Sequence, residues 1–304
     1  MAVFISHHSK NPFFNLAAEE YFLHQLEDDV VFLYENENAV VLGKHQNAFD
    51  ECNITFCEAN NIHIIRRLSG GGTVFHGSGN LNFCFIKNGE HADKLIDFKK
   101  HLTPINEFLH SLEVRSEFSG RNDLLVDGFK ISGNAEHVFS KKKRLIHHGT
   151  LLFNADLKRL NAAIKPKENI VFKSHAVKSV RSKVANISDF MKNDLSFEQF
   201  KSALADFLIS HFECKVIELT ENQILEIENL IQSKYQTSEW NLRYSPNFEV
   251  VLTLPNSVLE LKVEKGLILH AKLDELELIE LKGKNYAQET LSNRFPEIDF
   301  SVFF

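Results

Sequence analysis

The 304-residue sequence predicts an α+β protein: a large domain whose mixed β-sheet is covered by helices, then a small α+β C-terminal domain. The boundary is expected between residues 1–243 and 244–304. Three observations carry this reading. Strand-like and helix-like runs alternate through the first unit without the regular cadence of a doubly wound sheet. The later helical stretches each carry one apolar face, as elements packed on a sheet do. From Ser245 the pattern shifts to strand-like segments, FEVVLTL and VLELKVEKGLILHAKL, with Pro246 and Pro255 marking turns. A chain of this length also exceeds what one core usually supports.

The elements follow in order. AVFIS reads as a short strand, and residues 14–26 as an amphipathic helix started by Asn11-Pro12. Residues 30–34 and 39–42 are β-rich and flank the polar ENEN, which predicts a hairpin. Residues 62–65 lead into a glycine-rich stretch, and residues 81–86 alternate as a strand. Residues 93–112 have helical periodicity. Asp127-Gly128 between two short apolar runs is a strong hairpin signal. Residues 145–153 form another strand after the charged run Lys141-Lys142-Lys143-Arg144, read as a solvated turn, with docking of an acidic partner as the alternative. Helices are expected over residues 197–212 and 221–231, with a short one near 285–294.

Composition narrows the function. A net charge of -7 argues against a broad nucleic-acid binder, which needs a basic surface to displace phosphate counterions. No apolar run approaches the roughly 18 residues of a membrane span, and the N-terminus lacks a leader pattern. Four cysteines with no C-x-x-C pair fit a reducing cytoplasm.

Two segments concentrate the chemistry. RRLSGGGTVFHGSGN, residues 66–80, holds five of the 13 glycines. Such a loop lets a ligand approach the backbone, its amides can cradle an anion, and an arginine beside it supplies charge. It is neither G-x-x-x-x-G-K-[ST] nor G-x-G-x-x-G, so a standard phosphate loop is disfavoured; a plain hairpin tip is the alternative. The second segment, GRNDLLVDGFKISGNA, places Lys130 between a turn and the small residues Ser132, Gly133 and Ala135. An ammonium there can stabilise charge on a phosphate or a reacting carbonyl oxygen. The adjacent His147 and His148 point to opposite strand faces, so that pair alone makes no metal site. Cys84 lies in an apolar strand and reads as a small buried hydrophobe.

Together these segments resemble the lipoate-protein ligase A family. The two runs just quoted match its motifs, as do HHGTLLFNADL, the loop from Lys178 to Asn186, and the earlier VVLGKHQN and ECN. The resemblance spans residues 10–190 and implies a lipoate/biotin ligase catalytic fold. It also implies a two-step reaction: lipoate and ATP give lipoyl-adenylate, and the lysine of an acceptor lipoyl domain then takes the acyl group. Acceptors of this kind are the lipoyl domains of 2-oxoacid dehydrogenase complexes and the glycine cleavage H protein. By matching position, Lys130 is the catalytic residue. Arg67, Gly72, Thr73, Val74, Phe75, Asn80, Lys130, Arg181 and Lys183 are the expected ATP and adenylate contacts. Arg67, Gly71, Gly72, His76 and Lys130 are the expected lipoate contacts, and Asp123 is the expected Mg²⁺ ligand. His76-Gly77 stands where the family often has His-Asp, and the C-terminal segment is short for the family. A same-fold transferase that does not use ATP, or a non-catalytic lipoate-binding module, remains as an alternative.

Overall fold

The computed structural model describes residues 1–120, 122–164, 169–180 and 182–304. In chain order the strands are β1 (Ala2–Ser6), β2 (Asp29–Tyr34), β3 (Ala39–Leu42), β4 (His63–Arg66), β5 (Val74–His76), β6 (Asn80–Asn88), β7 (Glu117–Phe118), β8 (Asp123–Val126), β9 (Phe129–Phe139), β10 (Arg144–Leu152), β11 (Ile170–Ser174), β12 (Lys215–Glu218), β13 (Phe248–Thr253), β14 (Val258–Glu264), β15 (Leu267–Leu273) and β16 (Leu276–Glu277). The α-helices are α1 (Pro12–Gln25), α2 (Ala48–Glu51), α3 (Ile54–Ala59), α4 (Phe98–Ser111), α5 (Leu157–Ala163), α6 (Phe197–His211), α7 (Glu221–Leu230) and α8 (Gln288–Arg294).

Three sheets organise these elements. The largest runs β12-β1-β2-β6-β10-β9-β8-β7 and is mixed, with β1 parallel to both β12 and β2 and the remaining pairs antiparallel. A small sheet runs β4-β3-β5, and an antiparallel sheet runs β11-β13-β14-β15-β16. The α+β architecture follows. The C-terminal sheet takes its edge strand, β11, from well before residue 244. Its core also continues into α2, α3 and the Val40 and Leu42 side chains of β3.

Helix α1 is the hub. Asn11 caps it, accepting hydrogen bonds from the Phe13 and Phe14 amides, and Pro12 sits in the first turn where its missing N–H costs nothing. It is buried on nearly all sides because it lies between two sheets: Phe14, Ala18 and Phe22 share one core with β1, β2 and β6 and with Ala39 and Val41 of β3. The far face of the large sheet packs on α4 and α6 through Phe83, Phe85, Phe108 and Phe200.

Two sequence expectations need correcting. Residues 30–34 and 39–42 do not form a hairpin; β2 joins the large sheet and β3 the small one. The polar linker between them is claimed by the start of α1 instead. Glu37 donates its amide to the Lys10 carbonyl at 2.7 Å, and Asn15 Nδ2 donates to the Glu35 carbonyl at 2.9 Å. With its peptide groups satisfied there, the linker carries the chain across α1 rather than turning back. The charged run ending at Arg144 is also not wholly solvated. Arg144 is buried, and its guanidinium collects the carbonyls of Phe22, Leu23, Leu26 and Asp28 around the C-terminal end of α1. These acceptors have no intrahelical donor, and the cation also suits the negative end of the helix dipole.

Arg144→Ala should therefore destabilise the fold by on the order of 3 kcal/mol, since buried carbonyls lose a charged donor. Lys142→Ala, which removes one exposed contact to the His24 carbonyl, serves as the comparison. Urea unfolding of the two variants should give a large shift for the first and a small one for the second.

Candidate active site

The cavity is walled by the large sheet on one side and the small sheet with its glycine loop on the other. It encloses about 290 Å³. Leu16 of α1, Val41 of β3, Val74 of β5 and Ala135 of β9 supply apolar surface, while Asp123 and Lys130 supply charge. Alternation along β5 decides which of its residues reach the space: Val74 and His76 line it, whereas Phe75 points away into the core shared with the C-terminal sheet.

The glycine loop is held rather than loose. Arg67 is buried and sends Nη1 to the Val41 carbonyl at 3.1 Å, Nη2 to the Gly70 and Gly72 carbonyls at 2.7 and 2.8 Å, and Nε to Ser69 Oγ at 3.0 Å. Burial pulls its pKa down to about 10, opposed by the nearby Glu19 carboxylate. Gly71 adopts a φ of +88°, which suits a residue without Cβ. A Cβ on Gly43 would fall 2.0 Å from the Gly71 carbonyl oxygen, so the two loops can pack only with glycine there.

A second set of bonds draws the segment around Ser179 over the loop. Thr73 donates its amide to Ser179 Oγ at 2.9 Å, and Gln46 Nε2 donates to the same oxygen at 3.0 Å. The Ser179 amide donates to Glu51 Oε1 at 3.0 Å, and its hydroxyl donates to Glu51 Oε2. Val177 and Val180 thereby become part of the lining.

Lys130 occupies the opposite wall. A register shift in the β8–β9 pair, between Leu124 and Leu125, re-aims the strand there. Its Nζ lies 2.9 Å from Asp123 Oδ1. A Cβ on Gly133 would fall 2.8 Å from that Nζ, so the ammonium fills the place a larger residue would take. The Lys130 amide donates to the Lys183 carbonyl at 2.8 Å, and its carbonyl accepts from Ala185 at 3.1 Å, which fixes the strand to the later loop. An outer groove that includes Gly120, Ser182 and Lys183 shares Asp123 and Lys130 with the cavity.

At the buried end, Glu19 accepts from Tyr34 OH at 2.9 Å and pairs with His148 Nδ1 at 2.7 Å; His148 Nε2 meets Ser69 Oγ at 2.5 Å. Burial and the Glu19 carboxylate hold the Tyr34 phenol protonated. The tautomer of His76 also follows from its neighbours. Asn15 Nδ2 has three oxygen acceptors, the Ser9 and Glu35 carbonyls and Asn36 Oδ1. That fixes the Asn36 amide with its Nδ2 toward His76 Nδ1, at 2.9 Å. Nδ1 is thus the acceptor and Nε2 carries the proton. Nε2 is buried and has no partner among the described residues, so an N–H donor at the cavity wall is left for a ligand. Burial, reinforced by Arg67 and His148, lowers the His76 pKa to about 3.

Of the residues expected from sequence, Arg67, Gly71, Gly72, Thr73, Val74, His76, Asp123 and Lys130 line the cavity. Phe75 and Asn80 do not; Asn80 is buried and donates to Asn82 Oδ1 at 2.9 Å. Lys183 is exposed in the outer groove, and Arg181 lies outside the described residues. Sequence reasoning did not single out Glu19, Gln46 or Glu51. The KHQN and ECN runs were the available signals for the last two. Cys84 is buried, and burial pushes its thiol well up, so it is no nucleophile.

Comparison with known proteins places this arrangement. P. falciparum LipL1 in complex with lipoate shares the fold at a TM-score of 0.67 and 23% identity, over 98% of this chain and 95% of its own. A lipoate-protein ligase A bound with ATP gives 0.65 at 23% identity, over 79% of this chain and 98% of its own. The fold is thus one that lipoate-protein ligases share. Lipoate-protein ligase LplJ of Bacillus subtilis is 36% identical over 322 residues, covering 99% of this chain and 96% of that protein. A family model described as the lipoyl protein ligase A/B catalytic domain matches residues 11–209, and the chain belongs to that family. It is an enzyme of the lipoate-protein ligase class.

The His76 geometry predicts a pH effect on stability. The unfolded histidine takes a proton near its ordinary pKa of about 6.5, the folded one only near about 3, so the contribution is complete above 6.5 and is lost as pH falls. The stability gap between wild type and His76→Gln should narrow on acidification by up to about 1.4 kcal/mol per pH unit. Urea unfolding at several pH values reads this; a constant gap means His76 titrates alike in both states.

Proposed function

We propose that this protein activates free lipoate with ATP and transfers the lipoyl group to a lysine of an acceptor lipoyl domain. The observation that carries the reading is one cavity that joins an apolar patch of Leu16, Val41 and Val74 to the Lys130 ammonium, opposite a glycine loop fixed by Arg67. In the first half-reaction a lipoate carboxylate oxygen bonds to the α-phosphorus of ATP and pyrophosphate leaves. In the second, the acceptor lysine nitrogen bonds to the acyl carbon, AMP leaves, and the nitrogen loses a proton.

Lys130 serves both steps by meeting the negative charge that builds on phosphate and acyl oxygens. Arg67 serves them through the loop it holds, its donors being largely committed to backbone carbonyls. The Gly72–Val74 backbone contacts the nucleotide, and His76 Nε2–H offers a hydrogen bond within the lipoate pocket. The segment carrying Ser179, with Lys183 beyond it, closes the site over the mixed anhydride and limits its hydrolysis. The acyl chain lies against Leu16, Val41 and Val74. The outer groove beside Lys183 suits the triphosphate.

Asp123 is the one carboxylate in the described lining, which fits Mg²⁺ only if phosphate oxygens and water complete its shell. Bound there, the ion would supply charge neutralisation of the phosphates. Residues 244–304 act as an accessory unit bearing on the site through Arg66, whose guanidinium donates to Ser245 Oγ and to the carbonyls of Gly43, Lys44 and Gln46. Four free cysteines suit a reducing cytoplasm, and no described helix is long and apolar enough to cross a membrane. Acceptors include 2-oxoacid dehydrogenase lipoyl domains and the H protein.

Lipoate-dependent exchange of pyrophosphate into ATP tests the first half-reaction. Lys130→Ala should lose roughly 100- to 1,000-fold in rate while remaining folded. Gly133→Ala, whose new methyl displaces the Lys130 ammonium, should fall between the two. Near-normal exchange by Lys130→Ala refutes the assignment. Wild-type protein that transfers from preformed lipoyl-adenylate but shows no exchange would instead be a transferase that does not use ATP.

A further inference from the structure

The face of the large sheet away from the cavity carries a second group of chemistry-bearing side chains. His147 follows strand alternation to the side opposite His148. The β9–β10 register sets it across from Glu136, and α4 brings His101 down onto the pair. Glu136 Oε1 lies 2.8 Å from both His101 Nδ1 and His147 Nδ1. Candidate ligand atoms of the three residues fall within 4.8 Å of one another. The His147 and Glu136 side chains are 0% exposed and that of His101 is 9% exposed.

Hydrogen bonding within the trio leaves it incomplete. Glu136 Oε2 and His147 Nε2 are both buried with no hydrogen-bond partner among the described residues. A wholly structural cluster at such depth normally satisfies these atoms, because an unpaired buried polar atom costs free energy. Among the described residues, Phe83, Phe85 and Phe98 present aromatic rings to His147.

We propose that His101, Glu136 and His147 form a binding site for one zinc-class divalent cation. Two imidazoles and one carboxylate are the donor set such an ion accepts in tetrahedral coordination, with water in the fourth position. Mg²⁺ prefers an all-oxygen shell and is poorly served here. Each histidine gives the ion one ring-nitrogen lone pair and keeps its proton on the other nitrogen, and the ion supplies the unpartnered Glu136 Oε2 with a cation to bind. The bound ion ties α4 to β9 and β10, the strands whose opposite face carries Ala135 and His148 into the cavity. It is a brace behind the site, separate from any ion that accompanies ATP.

The test uses full-length protein stripped with a chelator and then titrated with Co²⁺ as a spectroscopic probe. Wild type should take up one equivalent at this site, with the intense visible absorption of a four-coordinate ion, and Zn²⁺ should displace it and raise the Tm. His101→Gln and Glu136→Gln should each weaken uptake by at least on the order of 100-fold and abolish the Tm rise. A His7→Gln/His8→Gln double variant should bind as wild type does. Zinc X-ray absorption on wild type does not depend on variant folding and should show nitrogen and oxygen ligands with no sulfur. Uptake unchanged in His101→Gln and Glu136→Gln, sulfur in the zinc shell, or no binding by wild type would each overturn the proposal.

Discussion

Two consecutive buried guanidiniums organise this fold around its cavity. Arg66 and Arg67 sit at the end of β4, and the described structure pairs neither with a carboxylate in a salt bridge. Their acceptors are mainly backbone carbonyls, so burying each charge requires several loops to converge on it. Arg66 gathers the Gly43, Lys44 and Gln46 carbonyls together with those of Trp240 and Asn241. Arg67 gathers Val41, Gly70 and Gly72. A loop that drifted away would leave a buried cation under-solvated, and this cost gives the glycine stretch a defined shape. Burial lowers both pKa values to about 10, which leaves both side chains charged at neutral pH.

The same economy explains why the site lies between sheets. Helix α1 is covered on both sides, so the small sheet must cross over it to reach the large one, and the space left beside the crossing becomes the cavity. The linker at Glu35–Asn38 makes that crossing, and its Asn36 fixes the His76 tautomer on the way. One polar tetrapeptide therefore governs both chain path and a proton position in the pocket.

Short-range features were legible in the sequence. Asn11-Pro12 starts α1, and Asp127-Gly128 turns β8 into β9 with φ values of 50° and 79°, because these signals act through neighbouring backbone. The glycine loop and Lys130 were readable for a similar reason: their residue types have few other uses in that order. The ENEN linker misled because a polar turn between two β-rich runs looks alike whether the strands pair or separate. What separates them is Asn15, some twenty positions upstream. Arg144 misled because three exposed lysines precede it, and only the carbonyls at the end of α1 distinguish its fate. The clamp of Gln46, Glu51 and Ser179 joins residues more than a hundred positions apart, so no local pattern reports it.

That clamp bears on how the site opens. The segment around Ser179 is attached to the glycine loop through the Thr73 amide, Gln46 and Glu51, and to the rest of the chain through the Val177 amide and the His45 carbonyl. In the proposed function the Thr73 amide donates to a nucleotide phosphate; in this structure it donates to Ser179 Oγ. Seating a phosphate on that amide requires the hydroxyl to move, and Glu51 offers it a partner already in place. The Arg67 bonds need not change during the exchange. The arginine holds the cradle while the serine hydroxyl gives way, so rigidity and access are assigned to different residues.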